Sequence, residues 1–185
     1  GIYMKKRNIL ILLSSLISLI IFFFFDDIFM NIVSPLNLPA FFLWPFDKVA
    51  FGILAVLLTL FFLKTGRQRL VAPLWICSAV TYILSILIKL LVARDRLFID
   101  RTYIPGVPNF SFPSSHATVA FAILAVIFEQ HDKRLRWGWG IYAGLVVLSR
   151  ILMKYHYLSD LAGGALLGFG ISLLVIHTMK NHKLM

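Results

Sequence analysis

KLLVARDR at residues 89–96, PSSH at 113–116 and SRILMKYHYLSD at 149–160 are three polar clusters in a chain that is otherwise mostly apolar. Their importance lies in where they fall. If the apolar runs around them are membrane helices, all three lie on the same side of the bilayer. His116 and His156, Asp160, the serines Ser114, Ser115 and Ser149, and the cations Lys89, Arg96 and Arg150 then share one membrane surface. Such a set suits phosphoryl chemistry, because it offers nucleophile, acid and charge neutralisation together.

The composition supports the membrane premise. Hydrophobic residues make up 60% of the 185, and aromatic residues 15%. Mean hydropathy is +0.89, and soluble proteins are usually about 45–50% apolar. The length suits one domain spanning 1–185. Cys77 is the single cysteine, so an intrachain disulfide and a thiolate metal cluster are both excluded. Its apolar neighbours predict a small buried hydrophobe. Gly1-Ile2-Tyr3 precede Met4 and have the look of a cloning remnant, with Met4 the native start. Lys5-Lys6-Arg7 then begin an apolar run with no small-residue cleavage site after it, which predicts an uncleaved first membrane helix.

Six apolar segments follow: 9–25, 49–63, 71–92, 117–128, 137–153 and 158–179. A spanning helix needs about 20 residues, so the second and fourth must borrow flanking residues, the fourth extending to 114–129. The prediction is an all-α polytopic membrane protein with six transmembrane helices. Lys5, Lys6, Arg7, Lys64, Arg67, Arg69, Lys133, Arg134, Arg136, Lys180 and Lys183 fall on one side. They are 11 of the 18 Lys and Arg, against the acids Glu129 and Asp132. The net charge of +10 is therefore distributed as a membrane orientation signal, and no nucleic-acid partner is expected. By the positive-inside rule both termini are cytoplasmic and the clusters face outward. In a bacterium that outward side is the periplasm or the outer face of the inner membrane.

Two outer stretches are long. Residues 26–48 carry Pro35, Pro39 and Pro45 with Phe41, Phe42, Trp44 and Phe46, and are expected to lie along the interface, as connector or as a wall for a lipid. Residues 94–113 contain Pro105-Gly106 and Pro108 and are expected to form an outer active-site loop. Gly163, Gly164, Gly168 and Gly170 in the last segment suit close helix packing.

Within the clusters, Lys89 and Arg96 are seven apart and share a helix face if the third helix continues that far. A cation inside an apolar run points to function. Ser114 or Ser115 suits an N-cap for the fourth helix, whose amide end attracts a phosphate, with His116 beside it. His156 and Asp160 are i, i+4 and stack on one face of a helical segment. Asp160 then fixes the imidazole tautomer and raises the basicity of the other ring nitrogen, which suits attack on phosphorus. Ser149 would share that face, while Arg150 points away and must reach across. One histidine can attack and a second can protonate the leaving oxygen. No carboxylate cluster, HExxH or GxxxxGK[ST] occurs, so neither metal nor cofactor is expected.

At these residues the chain resembles the type 2 phosphatidic acid phosphatase (PAP2) superfamily, whose pattern is K-x6-R-P, P-S-G-H and S-R-x5-H-x3-D. Lys89-x6-Arg96, Pro113-Ser114-x-His116 and Ser149-Arg150-x5-His156-x3-Asp160 match in order and spacing. Leu97 stands where the family has proline, and Ser115 where it has glycine, adding a Cβ where backbone approaches phosphate. The resemblance implies a PAP2-like helical core and a metal-independent lipid phosphate phosphatase. It implies His156 as nucleophile, Asp160 as its orienting partner and His116 as general acid, with Lys89, Arg96, Ser114, Ser115 and Arg150 around the phosphate. The implied substrates are phosphatidylglycerol phosphate, undecaprenyl pyrophosphate or the 1-phosphate of lipid A. Alternatives are a phosphotransferase of the same fold and a catalytically silent membrane assembly protein.

Overall fold

The structure, a computed structural model, describes residues 6–33, 35, 44–46, 48–96, 110–130 and 132–183, with the side chains of residues 6, 7, 44 and 48 outside that description. Among the described residues there are six α-helices: α1 Lys6–Val33, α2 Lys48–Lys64, α3 Val71–Val92, α4 Ser115–Phe128, α5 Lys133–Leu152 and α6 Leu158–Asn181. Short 3-10 turns at Trp44–Phe46 and Gln68–Leu70 precede α2 and α3. Within the described residues no strand occurs. Leu97, the Pro105–Pro108 stretch, Pro39, Phe41, Phe42 and residues 1–5 lie outside them.

Three helices are long and apolar enough to cross a membrane: Asn8–Val33, Gln68–Val92 and Leu158–Asn181. Val49–Lys64 and Ser115–Phe128 are apolar but shorter. The outward faces carry the apolar excess, with Phe24, Leu91 and Trp137 among the most exposed large side chains. In water such a surface associates non-specifically, and in a bilayer it meets lipid. The protein is an integral membrane protein.

α4 forms the centre, packing most extensively on α6 and also on α3 and α5, while α1 lies along α6. Nine of its fourteen residues are buried, among them Ala117, Ala120, Ile123 and Ile127. Small residues let α6 approach. A Cβ built on Gly164 would lie 2.6 Å from the Ser114 carbonyl oxygen, and one on Gly168 only 2.0 Å from that of Thr118. Helices in an apolar solvent gain from such close backbone contact, because lipid supplies no competing hydrophobic drive. α5 starts where Asp132 accepts from the Leu135 amide at 3.2 Å, an N-cap contact.

Three sequence expectations are corrected. The first segment does not end at Phe25. α1 runs on to Val33, so residues 26–33, expected along the interface, are helical and Asp26 is buried. α3 ends at Val92, where Ala93 adopts the left-handed conformation (φ 48°) and its amide bonds the Lys89 carbonyl. Lys89 and Arg96 therefore do not share a helix face. α5 ends at Leu152, so Ser149 and His156 do not lie on one helix either.

Candidate active site

His156 sits in the turn between α5 and α6, two residues before the first helical position Leu158, and is 3% exposed. Asp160, fully buried, occupies the third position of α6. Its Oδ2 accepts from the Tyr157 amide at 2.9 Å, using one of the orphan donors of the helix start. The same oxygen lies 3.4 Å from His156 Nδ1. The expected pair therefore forms, at a helix entrance and not along a helix face. An ionised carboxylate can only accept, so Nδ1 carries the proton and Nε2 presents its lone pair away from Asp160.

The cations converge on this imidazole from three elements. Burial first, then the positive charges of Arg96 and Lys89, with His116 and Arg150 after them, hold His156 well below its ordinary value. Its neutral, nucleophilic form is thereby favoured. Lys89 Nζ donates to the carbonyls of Phe110 at 2.9 Å and Ser111 at 3.0 Å. It thus ties the end of α3 to the strand of chain entering α4. Arg96 Nη1 donates to the Tyr155 carbonyl at 3.2 Å, one residue before His156. Arg150 is 2% exposed. Its Nε donates to Ser149 Oγ at 3.2 Å, Nη2 to the Phe46 carbonyl at 3.0 Å, and Nη1 lies 3.5 Å from His116 Nε2. The Tyr155 ring lies about 6 Å from both guanidinium carbons, 6.0 Å for Arg96 and 5.9 Å for Arg150. This side chain spans the gap that ideal helix geometry left open for Arg150.

Ser114 caps α4 by position, with extended φ and ψ, while its Oγ is buried without a hydrogen-bond partner. Its amide donates to the Asp160 carbonyl at 3.0 Å, joining the starts of α4 and α6. Ser115 Oγ lies 3.0 Å from Ser85 Oγ of α3. Beside it, Phe51, Tyr82, Ser115, His116 and Val119 line an apolar cavity of about 190 Å³. Among the described residues, no group of three or more His, Cys, Asp or Glu is placed to hold a metal ion.

The sequence reading missed Asp26, Arg94 and Ser159, a polar cluster behind Asp160 in which Asp26 and Ser159 are buried and Arg94 is partly exposed. An acid at the edge of an apolar run was the available signal, but the first segment was bounded at Phe25, which left Asp26 in the interfacial stretch.

The PAP2 superfamily model matches residues 70–184. Bacitracin transport permease protein BcrC of Bacillus licheniformis is 44% identical over 68 residues, 37% of this chain and 33% of that protein. Undecaprenyl-diphosphatase BcrC of Bacillus subtilis (strain 168) is 28% identical over 137 residues, 72% of this chain and 69% of that one. Putative undecaprenyl-diphosphatase YbjG of Escherichia coli (strain K12) is 31% identical over 140 residues, 71% of this chain and 69% of that one. The chain thus spans a third of the first relative's length and just over two thirds of the other two. Among solved structures, the transmembrane PAP2 type phosphatidylglycerolphosphate phosphatase from Bacillus subtilis aligns with a TM-score of 0.71 at 17% identity, covering 98% of each chain. Aquifex aeolicus LpxE aligns at 0.64 and 20% identity, covering 82% of this chain and 94% of that one. At those identities the likeness is one of fold.

Proposed function

This chain belongs to the PAP2 superfamily, and from that membership we propose that it is a lipid phosphate hydrolase acting through a phosphohistidine on His156. The observation that carries the reading is the buried His156–Asp160 pair, acted on by Lys89, Arg96, Arg150 and His116 at once. His156 Nε2 attacks phosphorus, the bond from phosphorus to the leaving oxygen breaks, and His116 gives that oxygen its proton. His116 then takes a proton from water, whose oxygen attacks phosphorus as the P–N bond breaks, releasing inorganic phosphate. Lys89, Arg96 and Arg150 neutralise the equatorial oxygens in both steps. Ser114 Oγ and the N-terminal end of α4 add neutral donors. Most of the acceleration in such a site comes from positioning and charge stabilisation.

The substrate we propose is a polyprenyl diphosphate, undecaprenyl diphosphate first. Two of the sequence relatives are named for that activity. The apolar cavity beside His116 suits the prenyl carbons that follow the phosphate kept by the leaving group, and the chains stay in the bilayer. Six membrane spans, with cytoplasmic termini and an outward site on the bacterial inner membrane, complete the proposal. The distribution of Lys and Arg supports that orientation.

The test is phosphate release by the detergent-solubilised protein in EDTA from undecaprenyl diphosphate, phosphatidylglycerol phosphate and lipid A 1-phosphate. Preferred turnover of the first supports the assignment. Preferred turnover of another moves the substrate, and transfer of label to an acceptor lipid in place of water identifies a phosphotransferase. No turnover of any of them removes the hydrolase reading.

A further inference from the structure

Asp26 is an acid in the body of α1, 3% exposed, and its partners lie far along the chain. Its Oδ1 accepts from the Ser159 amide at 3.0 Å, and its Oδ2 accepts from Ser159 Oγ and from Arg94 Nη2, the latter at 2.9 Å. Arg94 in turn donates through Nη1 to Ser159 Oγ at 2.6 Å and to Asp160 Oδ1 at 3.1 Å. The other oxygen of Asp160 faces His156 Nδ1. One guanidinium therefore bridges two buried carboxylates, and the chain of contacts from α1 ends on the imidazole.

We propose that Arg94, anchored by Asp26, is a positioning residue that holds Asp160 in the orientation serving His156, making α1 part of the catalytic apparatus. The proposal rests on the phosphohistidine reading above. A carboxylate can turn about its terminal torsion, which is soft. Three contacts oppose that turn: the Tyr157 amide on Oδ2, the Arg94 guanidinium on Oδ1 and the Ser111 hydroxyl, and of these Arg94 alone ties the carboxylate to α1. Arg94 is well placed to resist it. Its backbone follows the left-handed Ala93, its carbonyl accepts from the Ser111 amide at 2.7 Å, and its guanidinium lies 3.8 Å over the Tyr157 ring. Because Arg94 is 24% exposed while Asp26 and Asp160 are buried, the acids supply the anchorage. A planar fork can span two carboxylates and a hydroxyl, a geometry that an ammonium cannot reproduce.

The experiment compares wild type with Arg94→Gln, Arg94→Lys, Asp26→Asn and the double variant Asp26→Asn/Arg94→Gln, measuring kcat, KM and melting temperature in detergent. Removing the hydrogen-bond partners that orient metal-ligating side chains costs about 10–100-fold in activity, and the same order is expected here by analogy. Arg94→Gln should show that loss in kcat with KM nearly unchanged, since Lys89, Arg96 and Arg150 remain. Arg94→Lys and Asp26→Asn should fall between it and wild type. The double variant removes the uncompensated charge on Asp26, so its melting temperature should recover toward wild type while kcat stays low. Recovery of kcat together with stability would show a purely structural tie and overturn the proposal, as would wild-type kcat in Arg94→Gln. Wild type run in parallel separates the two claims. An inactive wild type sinks the hydrolase reading, whereas an active wild type with equally active variants overturns only the positioning role.

Discussion

Replacing Gly168 by alanine should damage the site without touching any residue in it. The new Cβ would stand 2.0 Å from the Thr118 carbonyl oxygen and 2.8 Å from its carbon, where ordinary contact begins near 3.4 Å. The obstacle is helix backbone, so no side chain can rotate away, and roughly 1.4 Å of separation between α4 and α6 has to be found. Overpacking of this kind costs about 1–3 kcal/mol. At this chain length each kcal/mol lowers the melting temperature by about 2–4 °C. Thr118 is two residues from His116, and α6 carries Asp160, so the shift moves the two histidines relative to each other. A misplacement of about 1 Å can lower the rate about 100-fold. The assay is thermal melting in detergent with kcat for phosphate release. Gly140→Ala in α5 is the control: its Cβ meets nothing within 4 Å, and alanine favours a helix by up to about 1 kcal/mol. Wild-type melting and kcat in Gly168→Ala would refute the packing account.

Asp160→Asn keeps the shape at His156 but replaces the carboxylate by a neutral amide, which holds Nδ1–H less strongly and no longer stabilises a charged imidazole, and kcat should fall on the order of 10²–10⁴-fold while the protein stays folded. Ser114→Ala removes a buried hydroxyl with no partner; melting temperature should hold or rise, since an unmet buried group costs about 1–3 kcal/mol, while KM for the lipid phosphate rises. Because His156 is held well below its ordinary value of 6.5, the nucleophile stays neutral in mild acid. The acid limb of kcat/KM that reports it should lie well under pH 6.5. The same depression has a stability consequence. Below pH 6.5 the unfolded chain protonates this residue and the folded chain does not, so stability falls on acidification by at most about 1.4 kcal/mol per pH unit until the folded-state value is reached. Melting curves between pH 7 and pH 5 check the slope, which His156→Ala should lack.

Much of the helix pattern was legible, because uninterrupted apolar runs leave a helix little choice in lipid. The third run coincides with α3 at both ends, and the last differs from α6 only at its C-terminal end. The failures share a cause: a contact supplied from elsewhere in the chain. The first apolar run was bounded at Phe25 and residues from Asp26 on were placed along the interface, yet Arg94 and Ser159 compensate Asp26 inside the helix from 68 and 133 residues away. The seven-residue spacing of Lys89 and Arg96 suggested one helix face. Ala93 breaks the helix between them, and both cations still act on His156, Arg96 through its bond to the neighbouring Tyr155 carbonyl. The His156–Asp160 contact was legible from spacing alone, although it forms at the entrance of α6. The depth at which α4 meets α6 was foreshadowed by the glycines, but only the structure shows that Gly168 faces a carbonyl.

The central claim is covalent attack by His156. Rapid acid-free quench of the protein with lipid carrying labelled terminal phosphate should trap a phosphoenzyme that is stable to base and labile to acid, as a phosphoramidate is. The account predicts that label on His156 in wild type and none in His156→Ala, with turnover lost in the same variant. Undiminished turnover in His156→Ala, or label recovered on another residue, would contradict it.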